Sequence, residues 1–167
     1  NGFISNWLGA RLCLAVIQEA PNAQVNIVNW ESQTLKKLLD GEIQAAINYS
    51  PIETNKQFTH QIIGEDDFVG LVKIGHPLAG KVLLQKEINQ AEYASLVVPG
   101  WNDTQPFIAK HLSTEDLKVQ ARSSYLHTLL DVVKQSEMIL PCSKQLAHYL
   151  HGEFDYLSFP NHTPEEI

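Results

Sequence analysis

From Leu8 to Ile47 the apolar residues keep changing their period, and this alternation constrains the chain more than any single motif does. Leu8, Leu12, Ala15 and Val16 recur at spacings of three and four, the period of an amphipathic helix. Ser5 or Asn6 is placed to cap that helix, and Ala20-Pro21-Asn22 ends it. Val25, Ile27 and Val28 then predict a short strand with alternating faces. Ser32 predicts the cap of a second helix that turns Leu35, Leu38 and Leu39 inward. Gly41 stands just past its end, where a left-handed residue is wanted. Ile43-Gln44-Ala45-Ala46-Ile47 reads as the next strand. Strands alternating with helices predict an α/β lobe with a largely parallel sheet.

The pattern continues beyond a polar loop at Pro51 to Lys56. Phe58–Ile63 reads as extended, and Phe68–Val72 as a strand. His76, Pro77 and Gly80 mark a loop. Ala94–Val98 is a strand stopped by Pro99-Gly100, and Gln105–Leu112 is helical. Leu117–Ala121 is a strand, followed by a helix with Ser123 or Ser124 as its cap and Leu126, Leu129, Leu130 and Val133 on its apolar face. Met138–Leu140 is a short strand halted by Pro141. Ser143 caps a helix to Leu150, and Phe154–Phe159 is the last strand.

The 167 residues suffice to bury a core, and 44% hydrophobic with 19% charged residues is ordinary for a globular chain. A formal net charge of -7 makes this segment a poor binder of a phosphate backbone. Any contact with DNA is expected from another segment. Cys13 and Cys142 form no CxxC pair and read as apolar thiols in a reducing compartment. No stretch has the length of a membrane span, and no signal peptide opens the sequence.

A search for catalytic motifs finds none. The histidines show no HExxH spacing, and His148 and His151 near Glu153 and Asp155 read as a solvated helix end rather than a metal site. Glu65-Asp66-Asp67 reads as a solvated carboxylate run. There is no GxSxG, GxGxxG or GxxxxGK[ST] sequence. No cofactor and no metal are expected.

Ligand binding is better supported. Gly2-Phe3-Ile4-Ser5-Asn6, Glu31-Ser32-Gln33 and Ser123-Ser124-Tyr125 each precede or open a predicted helix. Helix N-termini present free N–H groups and a positive dipole end, and in α/β sheets they lie at the carboxyl edge of the strands, where ligands bind. Each serine taken alone is an ordinary cap; three such ends facing one cleft would make a site. Trp101, after Pro99-Gly100, reads equally as a cleft wall or as packing.

With these residues laid out, the chain resembles the LysR-type transcriptional regulators over nearly its whole length. Leu8–Leu12, Ala20-Pro21-Asn22 and Val25–Ile27 look like that family's first helix and following strand. Leu35, Leu38, Gly41-Glu42-Ile43 and Ala45–Ile47 look like the next helix, glycine stop and strand. Asp67–Val72 leading to His76-Pro77-Leu78-Ala79 is the sharpest match, similar to the crossover strand and "HPLA" loop. Ser123-Ser124, Leu129, Val132, Val133 and Ile139-Leu140-Pro141 resemble the late helix and "LP" strand. The chain departs from the family at Gln44, where Asp is usual, at Gln135-Ser136-Glu137, where glycines are usual, and at Phe3, where some relatives carry a ligand-contacting serine.

The resemblance implies two Rossmann-like lobes joined by crossover strands, similar to type 2 periplasmic binding proteins. Residues 1–68 would form the first lobe, without the family's initial strand, and 69–167 the second, without the C-terminal return strand and helix. It implies a bacterial, cytoplasmic small-molecule sensor, not an enzyme. The effector would lie between the lobes against Phe3, Ile4, Ser5, Ser32, Pro99, Gly100, Trp101, Ser124 and Tyr125. It also implies head-to-tail homodimers and tetramers through this domain. DNA would be bound only by an N-terminal helix-turn-helix outside this sequence. The rival readings are a secreted solute-binding protein of the same fold serving a transporter, and a small α/β enzyme.

Overall fold

The computed structural model describes residues 2–50, 56–99, 102, 117–160 and 164–167. Its elements are α1 (Gly2–Glu19), α2 (Thr34–Leu39), β1 (Glu65–Asp66), β2 (Phe68–Val72), α3 (Gln85–Gln90), β3 (Glu92–Leu96), β4 (Lys118–Ser123), α4 (Leu126–Lys134), β5 (Leu140–Ser143), α5 (Lys144–Tyr149), β6 (Asp155–Ser158) and β7 (Glu165–Glu166).

Phe68-Val69-Gly70-Leu71-Val72 is buried at every position, as an apolar run covered on both faces must be. It runs antiparallel between β5 and β6. The parallel pair β3–β4 joins this group through Ile139, whose amide and carbonyl bond Glu92 O and Ala94 N at 2.9 Å each. On the far side, Val82 bridges Ser158. One apolar cluster, which includes Phe3, Phe68, Leu71, Leu96, Leu129 and Leu146, covers one side of this assembly. A second, with Val72, Leu83, Ile88, Tyr93, Ile139 and Leu157, covers the other. Gly70 lies between the layers: a Cβ there would meet Leu157 Cδ1 at 2.5 Å and Ile139 Cγ2 at 2.6 Å.

Several expectations need correction. The sheet is mixed rather than largely parallel, because β2 is antiparallel to both neighbours. Segments 25–28, 43–47 and 58–63 carry strand-like patterns but form no ladder among the described residues. Alternation marks a chain able to pair, and pairing needs a neighbour in register. Pro141 does not halt its strand but sits inside β5, opposite Gly70 of β2. The two-residue β7 pairs antiparallel with β1.

The helix starts shift as well. α1 begins at Gly2, so Ser5 and Asn6 are internal, and both donate back to Gly2 O, at 3.5 and 2.6 Å. Ser32 does not cap α2; Thr34 Oγ1 accepts the Glu31 amide at 2.8 Å instead. Neither Ser123 nor Ser124 caps α4, whose N-cap position is Tyr125. Ser143 does cap α5, accepting the Leu146 amide at 3.1 Å. Gly41 follows α2 with φ +75°, the left-handed geometry its position called for. Leu39 is exposed rather than inward, and α1 buries Phe3, Ile4 and Gly9 while leaving Leu12, Leu14 and Ile17 exposed.

His76 pins the loop after β2. Its Nδ1 accepts the Leu78 amide at 3.1 Å, so the ring proton sits on Nε2, which faces Glu137 Oε2 at 3.2 Å and Glu137 O at 3.3 Å. Lys73 pairs with the same carboxylate and holds its pKa below the ordinary value.

Candidate functional site

The amino end of α1 meets the carboxyl edge of the parallel pair β3–β4. Phe3 packs edge-on to Phe68, with centroids 6.1 Å apart, and Tyr49 does the same at 5.1 Å. Gly2 lies so close to β3 that a Cβ would be 3.1 Å from Leu96 Cδ2. Leu96, Val98 and Leu126 share one buried cluster with Phe3 and Ile4. The strand ends are tied by the Val97 amide donating to Ser123 O at 2.8 Å. At this edge the backbone leaves the sheet and side chains from different elements converge, which is why ligands of open α/β sheets bind there.

Asn102, buried to 4% exposure, fixes the geometry beyond β3. Its Oδ1 accepts the Val98 amide at 2.6 Å, and its Nδ2 donates to Leu96 O at 2.7 Å. Sequence reasoning missed this residue; an asparagine shortly after Pro99-Gly100 was its only signal.

The predicted site residues divide into groups. Phe3 and Ile4 are brought to this edge but are themselves core. Ser5 is half-buried one turn along α1, and Pro99 is half-buried after β3. Ser124 and Tyr125 are exposed where β4 hands over to α4, and the Tyr125 amide is held by Ser123 Oγ at 2.9 Å. Ser32 is exposed ahead of α2. Gly100 and Trp101 lie outside the described residues.

A cavity of about 450 Å³ opens elsewhere, between α2 and segments 46–50, 58–63 and 166–167. Trp30, Leu35, Leu38 and Phe58 line it together with Asn48 and His60, and none of the predicted contacts does. Among the described residues no three His, Cys, Asp or Glu side chains gather as metal ligands, and no helix is long and apolar enough to cross a membrane. Cys142 is fully buried, which pushes its thiol pKa up, away from reactivity.

No curated protein matches the chain. Solved structures do. A probable transcriptional regulator from Pseudomonas aeruginosa aligns over 99% of this chain at 16% identity and TM-score 0.83, and the chain spans 56% of that protein. The CcmR regulatory domain from Synechocystis, solved in complex with 2-PG, aligns over 98% of this chain and 81% of its own, at 16% identity and TM-score 0.73. The C-terminal domain of a probable LysR family transcriptional regulator from Rhodococcus aligns over 98% of this chain and 82% of its own, at 14% identity and TM-score 0.76. These likenesses fix the fold as α/β of the type 2 periplasmic-binding kind. A family model described as the LysR substrate binding domain matches residues 3–166, and the chain belongs to that family.

Proposed function

We propose that this chain is the ligand-sensing part of a LysR-type bacterial transcriptional regulator, acting in the cytoplasm and catalysing no reaction. The observation that carries the reading is the meeting of the α1 amino end with the carboxyl edge of β3–β4, within the fold of this family. A division near residue 68 into two lobes, 1–68 and 69–167, sets the effector between Phe3, Ile4, Ser5 and Ser32 on one side and Pro99, Gly100, Trp101, Ser124 and Tyr125 on the other. That a relative of the same fold is known in complex with 2-PG supports ligand binding by such an architecture. The aromatic residues Trp101 and Tyr125 favour a ligand with an apolar element.

The signal is a population shift. A ligand that binds one lobe or subunit arrangement more tightly moves the equilibrium by that difference in affinity, and the DNA-binding module follows. The exposed Leu14 and Ile17 of α1, three residues apart on one side of the helix, supply an apolar face for a homodimer.

The test is a thermal-shift screen against a metabolite library, since a ligand selective for the folded state raises the melting temperature by mass action. Tyr125 is 71% exposed, so Tyr125→Ala should leave the unliganded melting temperature unchanged while reducing the shift from a hit. A hit whose shift survives this substitution in full contradicts the assigned site.

A further inference from the structure

The cavity beside α2 shares no residue with the proposed effector contacts. It holds about 450 Å³ between α2 and segments 46–50, 58–63 and 166–167, within the roughly 300–1,000 Å³ range of small-molecule sites. Trp30, Leu35, Leu38, Ile47 and Phe58 line it half-buried, each with part of its apolar surface uncovered. Ile62 and Ile63, also in the lining, stay 53% and 58% exposed. Covering such surface is favourable, by about 25 cal/mol for each Å² of apolar area removed from water.

Backbone pairing, charge and hydrogen-bonding groups narrow what can fill it. The Ser50 amide donates to Glu166 O at 2.8 Å, the Ile63 amide to Ile167 O at 2.8 Å and the Ile167 amide to Gly64 O at 2.9 Å. These parts of the wall therefore offer an added strand no ladder to join. Among the described lining residues Glu166 carries the one charged side chain, and there is no lysine or arginine. An anion entering here would give up its water and meet a carboxylate with no cation to replace it. Asn48, only 7% exposed, Ser50 and His60 supply hydrogen-bonding side chains that can orient one polar group. Trp30 and Phe58 bring aromatic surface, which suits a flat ring.

We propose that this cavity is a second ligand site, separate from the effector edge, which takes a small uncharged molecule with a flat apolar body and one hydrogen-bonding group. The apolar body covers the half-buried wall, and the polar group replaces its lost water with a side chain of the lining.

The test is a titration of the intact chain with benzyl alcohol, an uncharged aromatic probe, and with benzoate, its anionic counterpart, followed by amide NMR shifts and thermal melting. Benzyl alcohol should saturably shift the amides of residues 35–38, 46–50 and 58–63 and raise the melting temperature, while residues 2–5, 97–99 and 123–126 stay unmoved. Benzoate should bind roughly tenfold or more weakly, because its charge is desolvated without a partner. Ala46 lines the cavity from an exposed position, so Ala46→Trp should weaken benzyl alcohol binding by roughly tenfold or more, the added ring taking the space that the probe needs. Shifts centred on residues 2–5 and 123–126, no saturable shift, benzoate bound as tightly as benzyl alcohol, or full binding by Ala46→Trp would each overturn the proposal. A second copy of the chain filling the cavity would instead show as shifts at 46–50 and 58–63 that follow protein concentration and that benzyl alcohol leaves unchanged, and it overturns the proposal equally. Should Ala46→Trp fail to fold, the wild-type shift map and the comparison of the two probes decide.

Discussion

Replacing Gly70 with alanine adds one methyl group at the most crowded point of the sheet. The new Cβ would stand 2.5 Å from Leu157 Cδ1, 3.0 Å from Leu157 Cγ and 2.6 Å from Ile139 Cγ2. Carbon pairs prefer about 3.5–4.0 Å, so the shortfall is roughly 1 Å on two sides. Leu157 and Ile139 are both 0% exposed and have no solvent to move into. β2 cannot retreat either, since it is bonded to β5 on one side and β6 on the other. Overpacking of this kind costs about 1–3 kcal/mol, and clashes with two immobile neighbours argue for the upper half of that range, about 2–3 kcal/mol. At about 2–4 °C per kcal/mol for a chain of this size, the melting temperature should fall by about 4–12 °C. Urea unfolding should show the loss in the midpoint, with little change in slope. Gly64→Ala is the control, because nothing lies within 4 Å of its added Cβ. Combining Gly70→Ala with Leu157→Ala should cost less than the sum of the two, by about 0.5–3 kcal/mol, because the truncation removes one clash. A Gly70→Ala protein that melts with the wild type would refute the packing of Ile139 and Leu157 over this glycine.

Two further outcomes follow from the site and its surroundings. Asn102→Ala leaves the Val98 amide and the Leu96 carbonyl without their buried partner, which should cost about 1–3 kcal/mol in urea unfolding and weaken ligand binding at the adjoining edge. Leu14 is 65% exposed on α1, so Leu14→Glu should preserve the circular dichroism spectrum while shifting sedimentation from dimer toward monomer; an unchanged dimer removes this face from the interface.

Local signals were legible where structure is local. The end of α1, the left-handed Gly41, the Ser143 cap and the buried run Phe68–Val72 all follow from neighbouring residues or from period alone. Patterns that need a distant partner were not. Val25–Val28 and Ile43–Ile47 alternate like strands yet have no ladder among the described residues, since register is decided by what lies alongside. Pro141 looked like a stop, yet it pairs with Gly70 inside β5, because sequence does not say which strand lies alongside. Ser32, and Ser123 or Ser124, were chosen as caps by residue type, but the helices start later: Thr34 Oγ1 accepts the Glu31 amide, and Ser123 Oγ accepts the amide of Tyr125, the N-cap position of α4, without capping the helix. The Glu65-Asp66-Asp67 run looked uniformly solvated, whereas β-pairing turns Asp66 inward to Tyr49 and Gln145, contacts 17 and 79 residues away in sequence.

The assignment of this chain as a ligand sensor rests on where the ligand sits. Amide hydrogen exchange with and without the strongest thermal-shift ligand tests that directly. The account predicts slowed exchange at residues 2–5, 97–99 and 123–126, the α1 amino end and the two strand ends it meets. Slowing confined to residues 46–50 and 58–63, around the cavity beside α2, or no slowing anywhere, would contradict it.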